Sequence, residues 1–326
     1  MKAFQPKNIK EHNQNLIVEL LKNCEFPMTT RQLSEVSHLS VVTLNKLIPE
    51  LIGKDSILAV EEQFKTGGRF AAAYTFNANK QQVLILQCIE AYQKLTVNYV
   101  VVDLLGNILE KFNFSTNTLE DLLSNISKLK TKYPKLSLVV SGIPGVEING
   151  DLKIMDYAPF KNLNLKKEIT DKTGITITVE NDINAASFGY SQTNKVLAAI
   201  YFPEEFPPGS ALIFNQNIFK GNNNMSGEIK YLPTINPINF PLRTSDIEQT
   251  ITEAIQSVIA MYDPHEVVLF ISKKWLDYLD MSHITEELDE IFPNDTLAKI
   301  TVSHDFSKYY LDGLIKIGLT EISMTE

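Results

Sequence analysis

The sequence predicts an α/β protein: a small helix-and-hairpin unit over residues 1–77, then two larger lobes of alternating strands and helices over 78–326, divided near residue 190. Three observations predict it. Three short helical stretches open the chain, and two strand-like runs around Gly67-Gly68 follow them. Beyond residue 80, β-branched apolar runs alternate with stretches of helical periodicity. At 326 residues, 44% hydrophobic and 21% charged, the chain has ample core but is too long for one ordinary domain.

Leu16, Ile17, Leu20 and Leu21 have helical spacing, so a helix is expected over 15–22. Thr29 with Gln32 fits a capping box opening a second helix through Val36, and His38-Leu39 makes a turn. Ser40 caps a third, from Val41 to about Ile48, with Val41, Leu44 and Leu47 or Ile48 packing inward. Pro49 is expected to end or kink that helix, because it removes a backbone donor and costs ~3 kcal/mol inside one. Runs 57–60 and 71–76 read as two strands around a Gly-rich loop. Asn77 to Asn79 is a polar junction, where we place the domain boundary.

Strands are expected at 83–88, 96–103 and 108–114, with Gly106-Asn107 turning the last pair. A helix at 119–132 and a buried strand at 136–140 follow, the strand ending at Ser141-Gly-Ile-Pro-Gly145. A helix at 165–173 and a strand at 175–179 lead into Glu180-Asn-Asp-Ile-Asn-Ala-Ala186, where strand gives way to helix. The second half reads as strands 197–202 and 211–214, a loop 221–233, helix 247–261, strand 266–271 and a terminal helix near 310–322.

Composition excludes several classes. No uncharged apolar run approaches the ~20 residues of a membrane helix, and the start is polar, so a cytoplasmic protein is expected. Cys24 and Cys88 are too few for a disulfide framework or a cysteine-based zinc site. The net charge of −9 is uneven: nine basic against eight acidic side chains leave residues 1–77 near +1 and the remainder near −10. That asymmetry would turn the N-terminal end toward a polyanion. Two short helices joined by a tight turn, then a hairpin, form a winged helix-turn-helix. Ser40, Val42, Thr43, Asn45 and Lys46 could reach base edges and phosphates, with Lys65 and Arg69 on the wing. Modules of this shape also bind protein, and that alternative stays open.

Gly67-Gly68-Arg69, Gly142-Ile-Pro-Gly145, Val179-Glu-Asn-Asp-Ile-Asn-Ala185 and Met225-Ser-Gly-Glu-Ile229 together resemble the ROK family of repressors, open reading frames and sugar kinases, over nearly the whole chain. The resemblance implies a two-lobed, actin-like or ribonuclease H-like fold of the sugar-kinase type behind the winged helix. It also implies that Asp182 stands where the kinases hold a general base, with Asn181 and Glu228 on other sugar hydroxyls. Glu248 falls, by spacing, near a further sugar-contacting Glu. Read from the residues alone, Asn181 or Asp182 could simply cap a helix, Glu228 could be a solvated loop acid, and Pro144-Gly145 an ordinary turn.

Departures from the pattern point away from catalysis. The family's first phosphate loop corresponds to Gln87–Thr96, where no Gly or Asp occurs. The second corresponds to Pro203-Glu-Glu-Phe-Pro-Pro208, acidic and proline-locked, whereas a phosphate cradle needs close backbone amides. From Glu228 to Asp312 there is no Gly for a nucleotide pocket. Tyr231 takes the place of the zinc-ligating His, and 234–245 holds no Cys. Positioning two reactants can supply ~7–11 kcal/mol of barrier lowering, and Asp182 without bound ATP supplies none of it. The expectation is therefore a non-enzymatic transcriptional regulator, a repressor, excluded from phosphoryl transfer by its own loops, with no catalytic residue, cofactor or metal. Its partners would be operator DNA, a carbohydrate or sugar phosphate effector, and a second or fourth copy of the chain. A vestigial cleft controlled by a partner protein is the alternative, and an active sugar kinase the remotest.

Overall fold

The computed structural model describes residues 6–60, 72–91, 94–155, 157–192, 195–235, 240–293 and 296–325. It divides into two compact units, Met1–Gln82 with Asp103–Asn107, and Val83–Val102 with Ile108–Glu326.

In the first unit α1 (Pro6–Lys22) starts earlier than the apolar spacing suggests. A short β1 (Met28–Thr29), not expected from sequence, precedes α2 (Thr30–Ser37). The capping box forms: Thr29 Oγ1 accepts from Gln32 N at 3.3 Å, and Gln32 Oε1 accepts from Thr29 N at 2.8 Å. Ser40 caps α3 (Val41–Gly53), accepting from Thr43 N at 3.1 Å. Two expectations are corrected here. The helix does not end near Ile48 but runs through Pro49 to Gly53, because Leu47, Ile48 and Leu51 all bury beside Leu44, Ile17, Leu21 and Leu33. Burying a Leu is worth ~1.5–3 kcal/mol, comparable with the proline's cost. Val41 does not pack inward; it is 47% exposed, since the first turn of α3 projects past that cluster. β2 (Ile57–Val60) and β3 (Ala73–Phe76) pair antiparallel, and β1 adds to the other edge of β3. The loop tip with Gly67, Gly68, Lys65 and Arg69 lies outside the described residues.

The second unit holds two five-stranded sheets. The first is built from β4 (Gln82–Ala91), β5 (Lys94–Val102), β6 (Ile108–Asn113), α4 (Leu119–Lys132) and β7 (Leu136–Ile143). A small hairpin β8 (Val146–Ile148) and β9 (Asp151–Ile154) follows, then α5 (Leu165–Thr173) and β10 (Thr176–Asn181). Strand order is β10-β7-β4-β5-β6, with β10 parallel to β7. Leu84, Leu86, Tyr99, Ile126, Val139 and Ile169 lie in its core.

Helix α6 (Asp182–Tyr190) leads to the second sheet, made of β11 (Leu197–Phe202), β12 (Gly209–Phe214), β13 (Asn217–Ile218) and, after α7 (Ile247–Tyr262), β14 (Glu266–Ile271). Helix α8 (Met281–Ile291) and β15 (Lys299–Ser303) were not expected; α9 (Phe306–Thr325) begins earlier than its apolar pattern implied. Strand order is β13-β12-β11-β14-β15, with β11, β14 and β15 parallel. Ile200, Ile251, Val258, Leu269 and Trp275 bury on one side of it, and α6 packs against α9. No described helix is long and apolar enough to cross a membrane.

Candidate functional site

The carboxyl ends of β10 and β7 lie side by side, Asn181 opposite Ile143, and those of β11 and β14 likewise, Phe202 opposite Ile271. Ligands of open α/β sheets characteristically settle at such strand ends. Here a cavity of about 490 Å³ opens between the two sheets of the second unit. Asn181, Asp182 and Glu228 all line it, so the three residues the sequence singled out converge.

Their positions follow from local chemistry. Asn181 is the N-cap of α6: its Oδ1 accepts from Ile183 N (3.1 Å) and Asn184 N (3.2 Å), while its Nδ2 donates to Gly145 O (2.9 Å). Asp182 Oδ1 accepts from Ile183 N at 2.7 Å, a carboxylate in the first turn where the helix dipole favours it. Glu180, which sequence reading passed over, holds this corner. Its side chain is only 5% exposed; Oε1 accepts from Asn181 N (3.1 Å) and Asn184 Nδ2 (3.0 Å), and Oε2 meets Lys220 Nζ at 2.7 Å. An acidic residue at the end of a buried strand was the available signal, since such a charge needs partners. Glu228 pairs with Lys230 at 3.0 Å. Gly227 precedes it at φ +89°, and a Cβ there would stand 1.9 Å from Ser210 O, so only glycine lets the loop reach β12.

The rest of the wall is different in kind. Tyr201 and Phe306 stack with ring centroids 3.7 Å apart and planes 4° from parallel. Burial, with Asp182 and Glu204 nearby, raises the Tyr201 phenol. Burial likewise pushes the Cys88 thiol up to about 12 and Tyr310 well above its usual range. Tyr310 donates to Cys88 O, and Gln87 Nε2 donates to Ser307 O at 2.7 Å. The strand that should have carried the first phosphate loop is thus tied to α9. Pro203, Pro207 and Pro208 offer no N–H, and Glu204 accepts from Ser272 and lies 3.8 Å from Lys274. These residues do not fit a phosphate cradle.

Glu248 stands apart from the cavity wall. It accepts from Asp280 N and meets His283 Nδ1, both at 2.9 Å, fastening α7 to α8. The Asp280 amide and His283 hold its carboxyl below the usual range, and Glu248 raises His283 in turn. Tyr231 is 56% exposed and is not part of the wall, whereas its neighbour Lys230 is. Among the described residues no group of three His, Cys, Asp or Glu side chains is placed to hold a metal ion.

In the first unit Val42, Asn45 and Lys46 share one exposed face of α3, with Ser40 exposed and Thr43 half-buried at its start. Thr43 Oγ1 lies 2.9 Å from Ser40 Oγ. Lys65 and Arg69 fall outside the described residues.

Comparison with known proteins agrees with the resemblance read from the sequence. The ROK family matches residues 94–236. The xylose repressor of Bacillus subtilis (strain 168) is 26% identical over 245 residues, covering 69% of this chain and 61% of that protein. The DNA-binding transcriptional dual regulator NagC of Escherichia coli (strain K12) is 23% identical over 243 residues, 69% of this chain and 58% of the relative. The chain thus spans about three fifths of the curated relatives it matches. Among solved structures, a ROK family transcriptional regulator homologous to the E. coli MLC protein superposes with TM-score 0.58 at 17% identity, covering 96% of this chain and 99% of that one. A ROK family protein from Streptococcus pneumoniae TIGR4, in complex with sucrose, gives TM-score 0.58 at 16% identity over 75% and 100%. The fold is therefore that of ROK proteins, sugar-kinase-like behind an N-terminal helical unit.

Proposed function

We propose that this chain, whose residues 94–236 match the ROK family, is a transcriptional regulator that binds operator DNA through residues 1–77 and senses a carbohydrate without transferring phosphate. One observation carries the reading: Asn181, Asp182 and Glu228 converge on an open cavity while the adjoining loop is Pro203–Pro208 rather than a phosphate cradle. A sugar needs clustered carboxylate and amide groups for its hydroxyls, and these are present. Phosphoryl transfer needs amide donors around a nucleotide, and three prolines remove them. The relatives named as a xylose repressor and a DNA-binding regulator support the same assignment.

The α3 face with Val42, Asn45 and Lys46, together with Ser40 and Thr43, enters the major groove, and the wing with Lys65 and Arg69 reaches phosphate or minor groove. A homodimer or homotetramer would span half-sites about 34 Å apart or a multiple of that. Ligand binding at the cavity would alter operator affinity by a coupling of ~1–3 kcal/mol. The test is fluorescence anisotropy on operators recovered by genome-wide capture, with a sugar panel titrated in. Release of DNA by one sugar, lost in Asp182→Ala, is the expected result. Sugar-dependent production of ADP would overturn the non-enzymatic reading, and failure to bind any captured DNA would overturn the regulator.

A further inference from the structure

We infer that the cavity is built for an uncharged glycoside carrying an apolar, aromatic or alkyl, aglycone, and that it discriminates against sugar phosphates. This deepens the proposed sensing role and rests on it. The lining carries two kinds of group. Hydrogen-bonding groups include Asn181, fixed to Gly145, Asp182 beside it, and Glu228 with Lys230. Apolar and aromatic groups are the stacked pair Tyr201 and Phe306, Phe206 between Pro203 and Pro207-Pro208, and Ile271, with the carboxylates of Glu204 and Glu205 in the same loop. A free monosaccharide offers hydroxyls on every edge and would leave several facing proline and aromatic carbon, each unmade bond a loss. A glycoside places its ring among the carboxylates and its aglycone against the aromatic rings, where burial is favourable.

Charge excludes the phosphorylated alternative. Asp182, Glu204, Glu205 and Glu228 face the cavity against Lys230 and His304. Lys230 is already paired with Glu228, and His304 Nδ1 is engaged with Ile271 O at 3.2 Å. A phosphate entering this space would meet an excess of carboxylates and a loop without amide donors at three of its six positions.

The experiment is isothermal titration of the full chain with matched methyl and phenyl glycosides, both anomers, of glucose, xylose, galactose, mannose and N-acetylglucosamine, alongside the corresponding 6-phosphates of the hexoses. Expected is phenyl over methyl by about tenfold or more for at least one sugar, the order set by taking one ring out of water. Phe206→Ser should erase that preference, bringing the phenyl glycoside down to the methyl glycoside's affinity; Phe206 is a half-buried loop residue, so the fold should tolerate it. Equal binding of methyl and phenyl glycosides, or tighter binding of a 6-phosphate, overturns the inference and leaves carbohydrate sensing standing. Silence with every compound overturns sensing as well, and operator binding measured on the same sample shows whether the DNA-binding assignment survives.

Discussion

Helices α6 and α9 each carry part of the cavity wall, Asp182 on one and Phe306, Ser307 and Tyr310 on the other, and they approach through two glycines, Gly189 and Gly313. A Cβ on Gly313 would lie 1.8 Å from Ala185 O and 2.6 Å from its carbonyl carbon; one on Gly189 would lie 2.1 Å from Tyr309 O. Both obstacles are backbone, so no rotamer relieves them, and the helices would have to part by more than 1 Å to restore contact at about 3.2–3.4 Å. Overpacking costs ~1–3 kcal/mol where side chains can yield; here the cost should reach or exceed the upper end, about 3 kcal/mol for Gly313→Ala. For a unit of this size that lowers the melting temperature by roughly 6–12 °C. An internal control lies in the same helix: at Gly318 the nearest atoms a Cβ would meet are Val83 and Val140 methyls, at 3.0 and 3.1 Å. Gly318→Ala gains ~1 kcal/mol of helix propensity against a slight shift of those methyls, and should fall within about 1 kcal/mol of the parent. Urea unfolding followed by circular dichroism measures both. A Gly313→Ala penalty below about 1 kcal/mol, or no difference from Gly318→Ala, refutes the close-approach argument.

Further outcomes follow from other sites. Thr29→Ala removes the side-chain half of the α2 capping box, the Thr29 Oγ1 that accepts from Gln32 N, while the Thr29 backbone N–H keeps Gln32 Oε1; it should destabilise the N-terminal unit by ~1 kcal/mol, read by denaturant unfolding. Lys46→Ala should weaken operator binding uniformly across sequences and flatten its salt dependence by about one ion, whereas Asn45→Ala should change base preference; anisotropy over a salt series separates them. His283 titrates above its ordinary value because Glu248 faces it, and Glu248 titrates below its own because the Asp280 amide and His283 do. The pair therefore contributes only between the two transitions: His283's share fades as pH rises through its raised value, and Glu248's as pH falls through its lowered one. An NMR titration should find the upward displacement of His283 reduced in Glu248→Gln, Glu248 being its largest cause. Burial holds the Cys88 thiol near 12, so a disulfide reagent at pH 8 should count one reactive thiol in the native chain and two in denaturant.

Much of the fold was legible because its signals are local. The capping box at Thr29 marks a helix start that the structure reproduces, and α4 spans the expected residues from Leu119 to Lys132, its own box at Thr118 coming to light only in the structure. Strands β11 and β14 stand where their apolar runs placed them. The hairpin of β8 and β9 was legible but overlooked: Asn149-Gly150 is a strong turn signal, and both residues adopt positive φ, +54° and +91°. Other features carried no local mark. Helix α3 survives Pro49 only because Leu51 finds a core to enter, and α9 begins at Phe306 where that ring stacks on Tyr201 from a distant strand.

Residue type and order thus determined the succession of elements, the asymmetry of charge, and the motif that marks Asn181, Asp182 and Glu228, since each depends on neighbours within a few positions. Tertiary structure alone decided that these three share one cavity, that Glu180 and Lys220 brace it, that Glu248 serves a helix junction instead, and that aromatic rings and prolines join the cavity lining. Those outcomes depend on residues tens to hundreds of positions apart meeting in space, and that geometry exists only once the two sheets have closed against each other.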